Sequence, residues 1–197
     1  MDENAPEMAS DSIRYAGKAV EDPAWITGFL ADQKSGVLGL VDEDSPHLVT
    51  QLFVYDDEAG AIYVHGASDG RAHGIVERAG SAPACFTTSE MGRFVPAEEP
   101  VNFTVEYASV VAYGTIDLVE GRDAKQHVLE RFMAKFAPQL TAGEDYEEMS
   151  AESIDRTAVY RLDVDSWSGK RGEKSPDHPT AYDLDAVRDA VRDAGDS

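Results

Sequence analysis

The sequence predicts a mainly β fold, a β-barrel with peripheral helices, and three observations support this class. Several short segments are predicted to be strands, and 157–165 alternates apolar and polar residues. The run Asp56-Asp57-Glu58-Ala59-Gly60 between two of them has the composition of a hairpin connection. Only three segments show a clear helical pattern. Successive hairpins with few helices favour an antiparallel barrel over a doubly wound parallel sheet, but they do not tell which type of barrel, a lipocalin-like or an OB-type barrel being among the possibilities.

The first half of the chain is predicted to hold one helix, three strands and a second, shorter helix. Residues 1–20 lack periodicity and are expected to form a flexible tail. Asp22 and Pro23 suit the N-cap and the first position of a helix that runs to about Gln33. The later elements are strands at 37–41, 48–55 and 61–65, and a helix from about 69 to 79 that ends at Gly80.

The second half is predicted to be dominated by strands around one amphipathic helix. Strands are expected at 82–88 and 103–119 with a polar loop at 89–100 between them, and Gly114 is a candidate bulge. The other expected elements are a helix at 123–136, an irregular or weakly helical stretch at 141–155, a strand at 157–165 and a marginal amphipathic helix at 184–191. One domain, 21–174, is therefore expected between the N-terminal tail and a polar acidic tail at 175–197.

The chain is strongly acidic, which narrows the classes of partner. It carries 38 acidic and 17 basic residues, a formal net charge of −21, and lysines are fewer than arginines among the basic residues. Nucleic acids and anionic membranes require cationic patches, so neither is an expected partner. The acidity fits either a solvated surface or adaptation to a high-salt, halophilic cytoplasm.

Targeting, disulfide and metal signals are absent from the sequence. No segment is apolar for long enough to span a membrane, and the acidic N-terminus does not resemble a signal peptide, so a cytoplasmic location is expected. Cys85, the one cysteine, lies in an apolar strand and is expected to be a small buried side chain. His47, His127 and His178 are scattered without metal-ligand spacing, so no metal site is expected.

Residues 64–71 (VHGASDGR) carry the most chemical information. A strand leads into small residues, and Arg71 stands at the expected start of a helix. Loop amides, a helix N-terminus and a fixed positive charge together suit a phosphate group. The glycines are not followed by Gly-Lys-Ser/Thr, and Ser68 does not lie in a G-x-S-x-G sequence. Neither a Walker P-loop nor a nucleophile elbow is therefore predicted.

Three further motifs accompany this segment along the chain. They are residues 46–53 (PHLVTQLF), 107–114 (YASVVAYG) and 167–170 (WSGK). In this order and spacing, the four motifs resemble those of the FMN-binding split barrels of the pyridoxamine-phosphate-oxidase-like superfamily, over about 23–174. Within it, the chain is similar to the branch of the Nim-type nitroimidazole-resistance proteins and flavin-nucleotide-binding proteins.

The resemblance implies a homodimer that holds FMN at the subunit interface. Arg71 would bind the phosphate, where a two-pronged guanidinium is a strong anchor. Gly66, Ala67 and Gly70 would let the backbone approach the cofactor. The alternative for Arg71 is an ordinary surface ion pair in an acid-rich protein.

The resemblance also assigns further residues to the cofactor. Ser109 would be a polar residue near it, and Trp167 and Lys170 would be contributed by the partner chain. Trp167 is otherwise explained as a residue that fills the barrel. Because neighbouring strand residues point to opposite faces, only one of two adjacent polar side chains, Thr50 and Gln51, is expected to serve the ring. The backbone groups expected along the isoalloxazine belong to Val49, Thr50, Gln51 and Leu52.

His65 is the candidate catalytic residue. In the Nim-like relatives a histidine at this position lies beside the flavin, and a neutral imidazole can exchange protons near pH 7, as a flavin reductase requires. The alternative is a hydrogen-bonding structural residue. Many relatives have a basic residue directly after the arginine that matches Arg71. Here that position is Ala72, so one phosphate contact is expected to be either missing or replaced by His73.

Three functions remain open from the sequence. The first is an FMN flavoprotein that transfers electrons from NADH or NADPH to a small oxidant such as a nitroaromatic or a quinone. The second is a non-catalytic flavin-binding or sensor protein. The third is a split barrel that binds haem or a deazaflavin instead of FMN. Genuine pyridoxamine-phosphate oxidase activity is not predicted, because the Arg-rich C-terminal signature is reduced to Lys170-Arg171.

Overall fold

Nine strands form one sheet, and the computed structural model describes residues 6–9 and 16–195 of the chain. The strands are β1 Glu7–Met8, β2 Ala19–Val20, β3 Ser35–Asp42, β4 Ser45–Leu52, β5 Val54–Asp56, β6 Ala61–Ala67, β7 Ser81–Val95, β8 Thr104–Leu118 and β9 Thr157–Gly172. Seven of them follow one antiparallel path, β4-β3-β7-β8-β9-β6-β5. The mainly β class predicted from the sequence is confirmed.

The two ends of this path are consecutive in the chain, which bends the sheet round into a barrel. β4 pairs with β3 up to Leu52, Phe53 interrupts the strand, and β5 then pairs with β6 at the opposite end of the path. The single strand predicted over 48–55 is therefore wrong, because the chain changes partner at Phe53. The Lys135 ammonium donates to the Phe53 carbonyl at 3.1 Å and to the Gln33 carbonyl at 2.6 Å. Lys135 thus supplies a hydrogen-bond donor at the residue where the chain changes partner strand.

The three central strands β7, β8 and β9 are long, and two of them exceed their predicted lengths. β7 continues through 89–95, where a loop was predicted, because β8 offers it a partner. β9 continues past 165 to Gly172 for the same reason. The predicted bulge is confirmed. The β8–β9 register shifts between Tyr113 and Gly114, and a Cβ at Gly114 would lie 1.8 Å from the Asp163 carbonyl oxygen.

The helices agree with the sequence prediction to within one or two residues at most ends. Asp22 caps α1, since its Oδ1 accepts from the Ala24 N–H at 3.0 Å, and Pro23 takes the first position. Gly80, at φ 73°, ends α2. The α-helices in the described residues are α1 Pro23–Asp32, α2 Arg71–Ala79, α3 Arg122–Phe136, α4 Ala151–Asp155 and α5 Leu184–Gly195.

The core fills the inside of the barrel and the space under α3. Leu30 of α1 and Trp167 of β9 are at most 2% exposed and belong to the larger cluster. A second cluster joins β6 to α3 and includes Tyr63 and Phe132. Cys85 is only partly buried and belongs to neither cluster. The buried position expected for it is wrong, because its side chain alternates with the inward Phe86 and points to the outer face of β7.

Both predicted tails contain segments that join the fold. β1 and β2 pair with β9, while 1–5 and 10–15 of the expected N-terminal tail lie outside the described residues. At the other end, Phe94 and Tyr182 exchange backbone hydrogen bonds of 2.8 and 3.0 Å. Arg93 also donates to the carbonyls of Ser175 and Pro176. The start of the C-terminal segment is thus attached to β7. None of the helices in the described ranges is long and apolar enough to cross a membrane.

Candidate functional site

β4 and β6 face each other without pairing, and this β4–β6 seam is the centre of the candidate site. Within the described ranges, β4 pairs with β3 alone, and β6 pairs with β5 only as far as Tyr63. Beyond Tyr63, that edge of β6 has no partner strand among the described residues. The two strands still approach closely, since a Cβ at Gly66 would lie 3.9 Å from Gln51 Nε2. Backbone N–H and C=O groups along the seam are available to a ligand with polar edges.

The four β4 residues predicted to line a flavin alternate between two environments. Val49 and Gln51 are partly buried, and Val49 packs against the barrel core. Thr50 and Leu52 are exposed on the outer face. The prediction that Thr50 and Gln51 point to opposite faces is therefore confirmed, and Gln51 is the one of the two that reaches Gly66. Contact of these four residues with a flavin stays a prediction.

Gly66 and Ala67 are strand residues, which corrects the turn predicted for them. They pair with Ala158 and Thr157 of β9. The turn is limited to 68–70, where the Gly70 N–H donates to the Ala67 carbonyl at 3.3 Å. The strand is longer than predicted because β9 offers partners that the local sequence does not reveal.

α2 begins at Arg71, directly after this turn, and its first amides are uncapped. Gly70 is the N-cap and has no side chain to accept from them. The first intrahelical bond runs from the Gly74 N–H to the Gly70 carbonyl at 3.1 Å. The amides of Arg71, Ala72 and His73 precede this bond, and the helix dipole favours an anion near them. The predicted position of Arg71 at the helix start is confirmed.

Arg71 shares the carboxylate of Asp42 with Arg78, and the three residues form the Arg71–Asp42–Arg78 cluster. Arg71 Nε donates to Asp42 Oδ2 at 2.9 Å, and Arg78 Nη2 donates to Asp42 Oδ1 at 2.6 Å. The hydrogen bond from Arg71, helped by both positive charges, holds the pKa of Asp42 below its usual value. The side chains of Arg71 and Arg78 are 59% and 63% exposed, against 17% for Asp42. The carboxylate therefore lies beneath two exposed cations.

Sequence reasoning identified Arg71 but missed Asp42 and Arg78. Arg78 follows Arg71 by two helical turns, so the spacing alone could have placed both on one face of α2. Asp42 has no such signal, because it lies 29 residues before Arg71 at the end of β3. His73 was the expected second phosphate contact, but its Nδ1 lies 3.8 Å from Glu77 Oε2, further along α2. The second cation beside Arg71 in this structure is Arg78, and a phosphate contact by His73 stays a prediction.

The His65 ring lies on the α3 side of β6. It packs edge-to-face against Phe132, with ring centroids 4.7 Å apart, and this burial lowers the pKa of His65. Because strand side chains alternate, Gly66 and its approach to Gln51 belong to the opposite face of β6. His65 is therefore adjacent to the seam along the chain, but its ring is turned away from Gln51. A catalytic role for His65 stays a prediction.

Ser109 and Lys170 are brought together, at a distance from Arg71. They are direct cross-strand partners on β8 and β9. Lys170 is eleven residues along β9 from Val159, the partner of His65, which corresponds to about 36 Å of extended strand. A single chain thus places the two groups of predicted site residues at opposite ends of β9.

Trp167 is a core residue in this chain. Its side chain is 2% exposed, and the indole Nε1 donates to Met8 Sδ at 3.1 Å. Its ring also lies 6.4 Å from that of Tyr55, centroid to centroid. The sequence left open whether Trp167 contacts the cofactor of the partner chain or fills the barrel, and these contacts support the second interpretation. The structure does not present this side chain to a partner chain.

The outer face of β3, β4, β7 and β8 carries uncharged side chains at all of its central positions. Leu38, Phe86 and Val110 point into the core, so the residues that alternate with them point outward. Leu48 and Val41 on this face are 67% and 62% exposed. The outer sheet face consists of Val37, Gly39, Val41, Leu48, Thr50, Leu52, Cys85, Thr87, Ser89, Ser109, Val111 and Tyr113. In a chain of net charge −21, this face differs from the average surface.

Solved structures with the same fold extend over most of the chain. The flavocytochrome Anf3 from Azotobacter vinelandii is 24% identical, with a TM-score of 0.75 over 92% of this chain and 80% of that chain. An FAD and heme binding protein from Mycobacterium smegmatis is 20% identical, with a TM-score of 0.68 over 88% and 80%. A putative 5-nitroimidazole antibiotic resistance protein from Bacteroides thetaiotaomicron is 18% identical, with a TM-score of 0.61 over 79% and 90%. At these identities, the likeness shows the fold.

The sequence itself matches a known family over most of its length. Residues 22–171 match the family described as Pyridoxamine 5'-phosphate oxidase. This range begins at the cap of α1 and includes the β4–β6 seam, Arg71 and Lys170. No curated protein matches the chain significantly. The predicted split-barrel architecture is confirmed, and the chain belongs to the pyridoxamine 5'-phosphate oxidase family.

Proposed function

We propose that the chain is a homodimeric flavoprotein that binds FMN at the β4–β6 seam and uses NADH or NADPH to reduce a small oxidant of the nitroaromatic or quinone type. The observation that carries the proposal is that two binding features adjoin in the chain. The unpaired edge of β6 leads within four residues to Arg71 and the uncapped amides of α2. FMN has matching parts, because its planar ring has polar edges and its chain ends in a phosphate dianion.

The residues at the site fit such a ligand. Gln51 and the backbone of 49–52 offer donors and acceptors along one side of the seam, and Gly66 leaves space beside them. Arg71 engages Asp42 through Nε, and its two Nη groups have no hydrogen-bond partner among the residues that the structure describes. Charge-assisted hydrogen bonds from guanidinium to phosphate are strong and geometrically specific. Each part of FMN therefore has a counterpart on this chain.

The homodimer is supported by the outer sheet face. Two copies of a chain with net charge −21 repel each other over most of their surface, but not where both present uncharged side chains. Exposed apolar residues on this face, Leu48 and Val41 above all, would be removed from water by a second copy. A dimer would also explain the predicted role of Lys170, because Lys170 lies near one end of β9 while the segment that leads to Arg71 pairs with the other end, at Thr157.

The flavin would supply the electron transfer, and the protein would bind it, orient it and manage protons. His65 is the candidate for proton exchange. Burial lowers the pKa of His65, so its imidazole is neutral at pH 7 and able to accept a proton. The similar proteins described as a flavocytochrome and as FAD and heme binding support a flavin in this fold, and they make FAD the alternative form to FMN.

A flavin-binding protein without catalytic turnover is the second candidate. It is favoured by the orientation of His65, whose ring packs against Phe132 rather than towards Gln51. Gln51 itself has no titratable proton near neutral pH. Haem, alone or with flavin, is a third candidate, and it is supported by the descriptions of the two structures with the higher TM-scores.

The visible spectrum of the purified protein tests the proposal. We expect the two absorption bands of an oxidised flavin, and mass analysis of the cofactor released by denaturation should identify FMN rather than FAD. Rapid anaerobic bleaching by NADH or NADPH would support the reductase, and a flavin that stays oxidised would support the binder. A Soret band without flavin bands would contradict the proposal in favour of haem.

The homodimer is tested by light scattering at micromolar protein concentration. Leu48→Glu places a charge on the outer sheet face and should shift the dimer towards monomer while lowering flavin content. Val101→Glu is the matched control, because Val101 is 84% exposed in the short 3-10 turn outside that face, and this variant should stay dimeric. A monomeric wild-type protein that retains flavin would contradict the proposed two-subunit site.

A further inference from the structure

Asp42 forms an ion pair with Arg71, the residue that the proposed function assigns to the flavin phosphate. Its Oδ2 accepts from Arg71 Nε at 2.9 Å, so this carboxylate already binds the guanidinium from within the chain. The Arg71 side chain is 59% exposed, which leaves it free to exchange one anionic partner for another. A carboxylate and a phosphate are both oxyanions that accept from the N–H groups of a guanidinium.

Arg78 lowers the free-energy cost of separating Arg71 from Asp42. Asp42 is only 17% exposed, and an acid at such a position is destabilised if it loses its only cation. Arg78 Nη2 donates to the second oxygen, Oδ1, at 2.6 Å, so Asp42 keeps a cation when Arg71 turns to another anion. The cluster as a whole carries one uncompensated positive charge within a protein of net charge −21.

We propose that Asp42 competes with the phosphate of the ligand for Arg71, and that Arg78 keeps this competition weak by binding Asp42. The inference rests on the proposed function, and it assigns roles to two residues that determine affinity without touching the ligand. Asp42 bonded to Arg71 represents the unbound state. In the bound state a two-pronged contact through Nε and one Nη of Arg71 puts the phosphate in the place of Asp42, and Asp42 stays on Arg78. No covalent bond is made or broken in this exchange.

The competition predicts opposite effects for the two residues. Asp42→Asn removes the competing charge, so FMN should bind more tightly, by about two- to fivefold, the range expected for an exposed ion pair. Arg78→Gln leaves Asp42 with Arg71 alone, so FMN should bind more weakly by a similar factor. In the Asp42→Asn background, Arg78→Gln should have no further effect on FMN affinity. Riboflavin, which lacks the phosphate, should bind equally to all four proteins.

Fluorescence titration of the full-length wild type, both single variants and the double variant with FMN and riboflavin tests the proposal. Arg122→Gln is the matched control, because Arg122 also begins a helix and pairs with an aspartate, Asp155, and it should leave both affinities unchanged. Circular dichroism checks that each variant folds. If Asp42→Asn does not fold, Asp42→Ser removes the same charge and takes its place in the single and double variants.

Three outcomes would overturn the inference while leaving the proposed function intact. Weaker FMN binding by Asp42→Asn would show that Asp42 positions Arg71 rather than competes for it. An equal loss from Arg78→Gln in both backgrounds would show that Arg78 binds the phosphate itself. Unchanged FMN affinity in both single variants would show that Asp42 and Arg78 have no part in binding. Failure of the wild type to prefer FMN over riboflavin would instead overturn the proposed function, and the inference with it.

Discussion

The starts of α2 and α3 share a glycine followed by an arginine, but the two arginines have different hydrogen-bond partners. Each helix begins with an arginine directly after a glycine N-cap, Gly70-Arg71 in α2 and Gly121-Arg122 in α3. Arg122 donates Nε and Nη2 to the two oxygens of Asp155, at 3.1 and 2.6 Å. Arg71 gives only its Nε to Asp42, whose other oxygen is bound by Arg78.

The comparison shows that an arginine at a helix start does not by itself leave its donors free for an anion. The pair on α3 is one cation with one carboxylate, and both oxygens are used. The cluster on α2 has two cations for one carboxylate, and it directly follows the unpaired edge of β6. The charge balance and the neighbouring seam distinguish the two sites. The predictions below test this difference, from the largest expected effect to the smallest.

Arg71→Ala should weaken FMN binding by about one to two orders of magnitude. A charge-assisted hydrogen bond contributes roughly 1.5–3 kcal/mol, and 1.4 kcal/mol corresponds to a tenfold change in Kd. Riboflavin affinity should hardly change, because riboflavin lacks the phosphate. Isothermal titration of both ligands provides the measurement. Equal losses for FMN and riboflavin would show that Arg71 is structural.

Arg71→Lys should recover only part of this loss. The lysine ammonium keeps the positive charge, but it does not reproduce the two-pronged contact of a guanidinium with two phosphate oxygens. We expect an FMN affinity between those of the wild type and Arg71→Ala, measured in the same titration. Full recovery would indicate that charge alone holds the phosphate, and it would reduce the distinction between Arg71 and other surface cations.

His65, which packs against α3, should make the stability of the protein depend on pH. Burial lowers the pKa of His65, so the unfolded state binds its proton more readily than the folded state does. This contribution to stability is complete above about pH 6.5, the usual histidine value, and is lost as the pH falls through the folded pKa. Urea unfolding at pH 7.5 and 5.0 should therefore show a smaller acid loss in His65→Gln than in the wild type.

The contribution of His65 to the pH dependence of stability has an upper limit, and one result would contradict it. One group changes the free energy of unfolding by at most about 1.4 kcal/mol per pH unit. The other acid-sensitive groups are present in both proteins, so the difference between them isolates His65. An identical acid loss in both proteins would show that His65 has the same pKa in the folded and unfolded states.

Arg122→Ala should have the smallest effect. Its ion pair with Asp155 is about half exposed on both sides, and exposed pairs contribute little to stability. We expect Tm to stay within about 2 °C of the wild type, and both FMN and riboflavin affinities to be unchanged. Selective loss of FMN affinity in this variant would mean that the start of α3 also binds phosphate, and the contrast between the two helices would fail.

The features predicted correctly from the sequence are those set by local chemistry. Asp22 and Pro23 start α1 because a cap and a proline act within one turn of helix. Gly80 ends α2 at a positive φ, and Gly114 marks a bulge because no side chain fits there. Arg71 at a helix start is of the same kind, because it follows from four adjacent residues and needs no knowledge of the partner strands.

The features that were missed depend on partners far away in the sequence. Phe53 ends β4 because β5 has a different neighbour, and Gly66 stays in a strand because Ala158 pairs with it. Asp42 reaches Arg71 only through the fold, from the end of the β3–β4 hairpin. The orientation of His65 is likewise set by α3, which packs Phe132 against its ring. Local patterns located the candidate site, but its electrostatics required the tertiary structure.

The affinity of the wild-type protein for FMN relative to riboflavin tests the central claim most directly. The claim is that the seam holds the flavin ring and that the start of α2 holds its phosphate. Titration of cofactor-free protein by flavin fluorescence should show FMN binding at least about tenfold more tightly than riboflavin, the contribution of one charge-assisted phosphate contact. Equal affinity for the two flavins, or no affinity for either, would contradict the account.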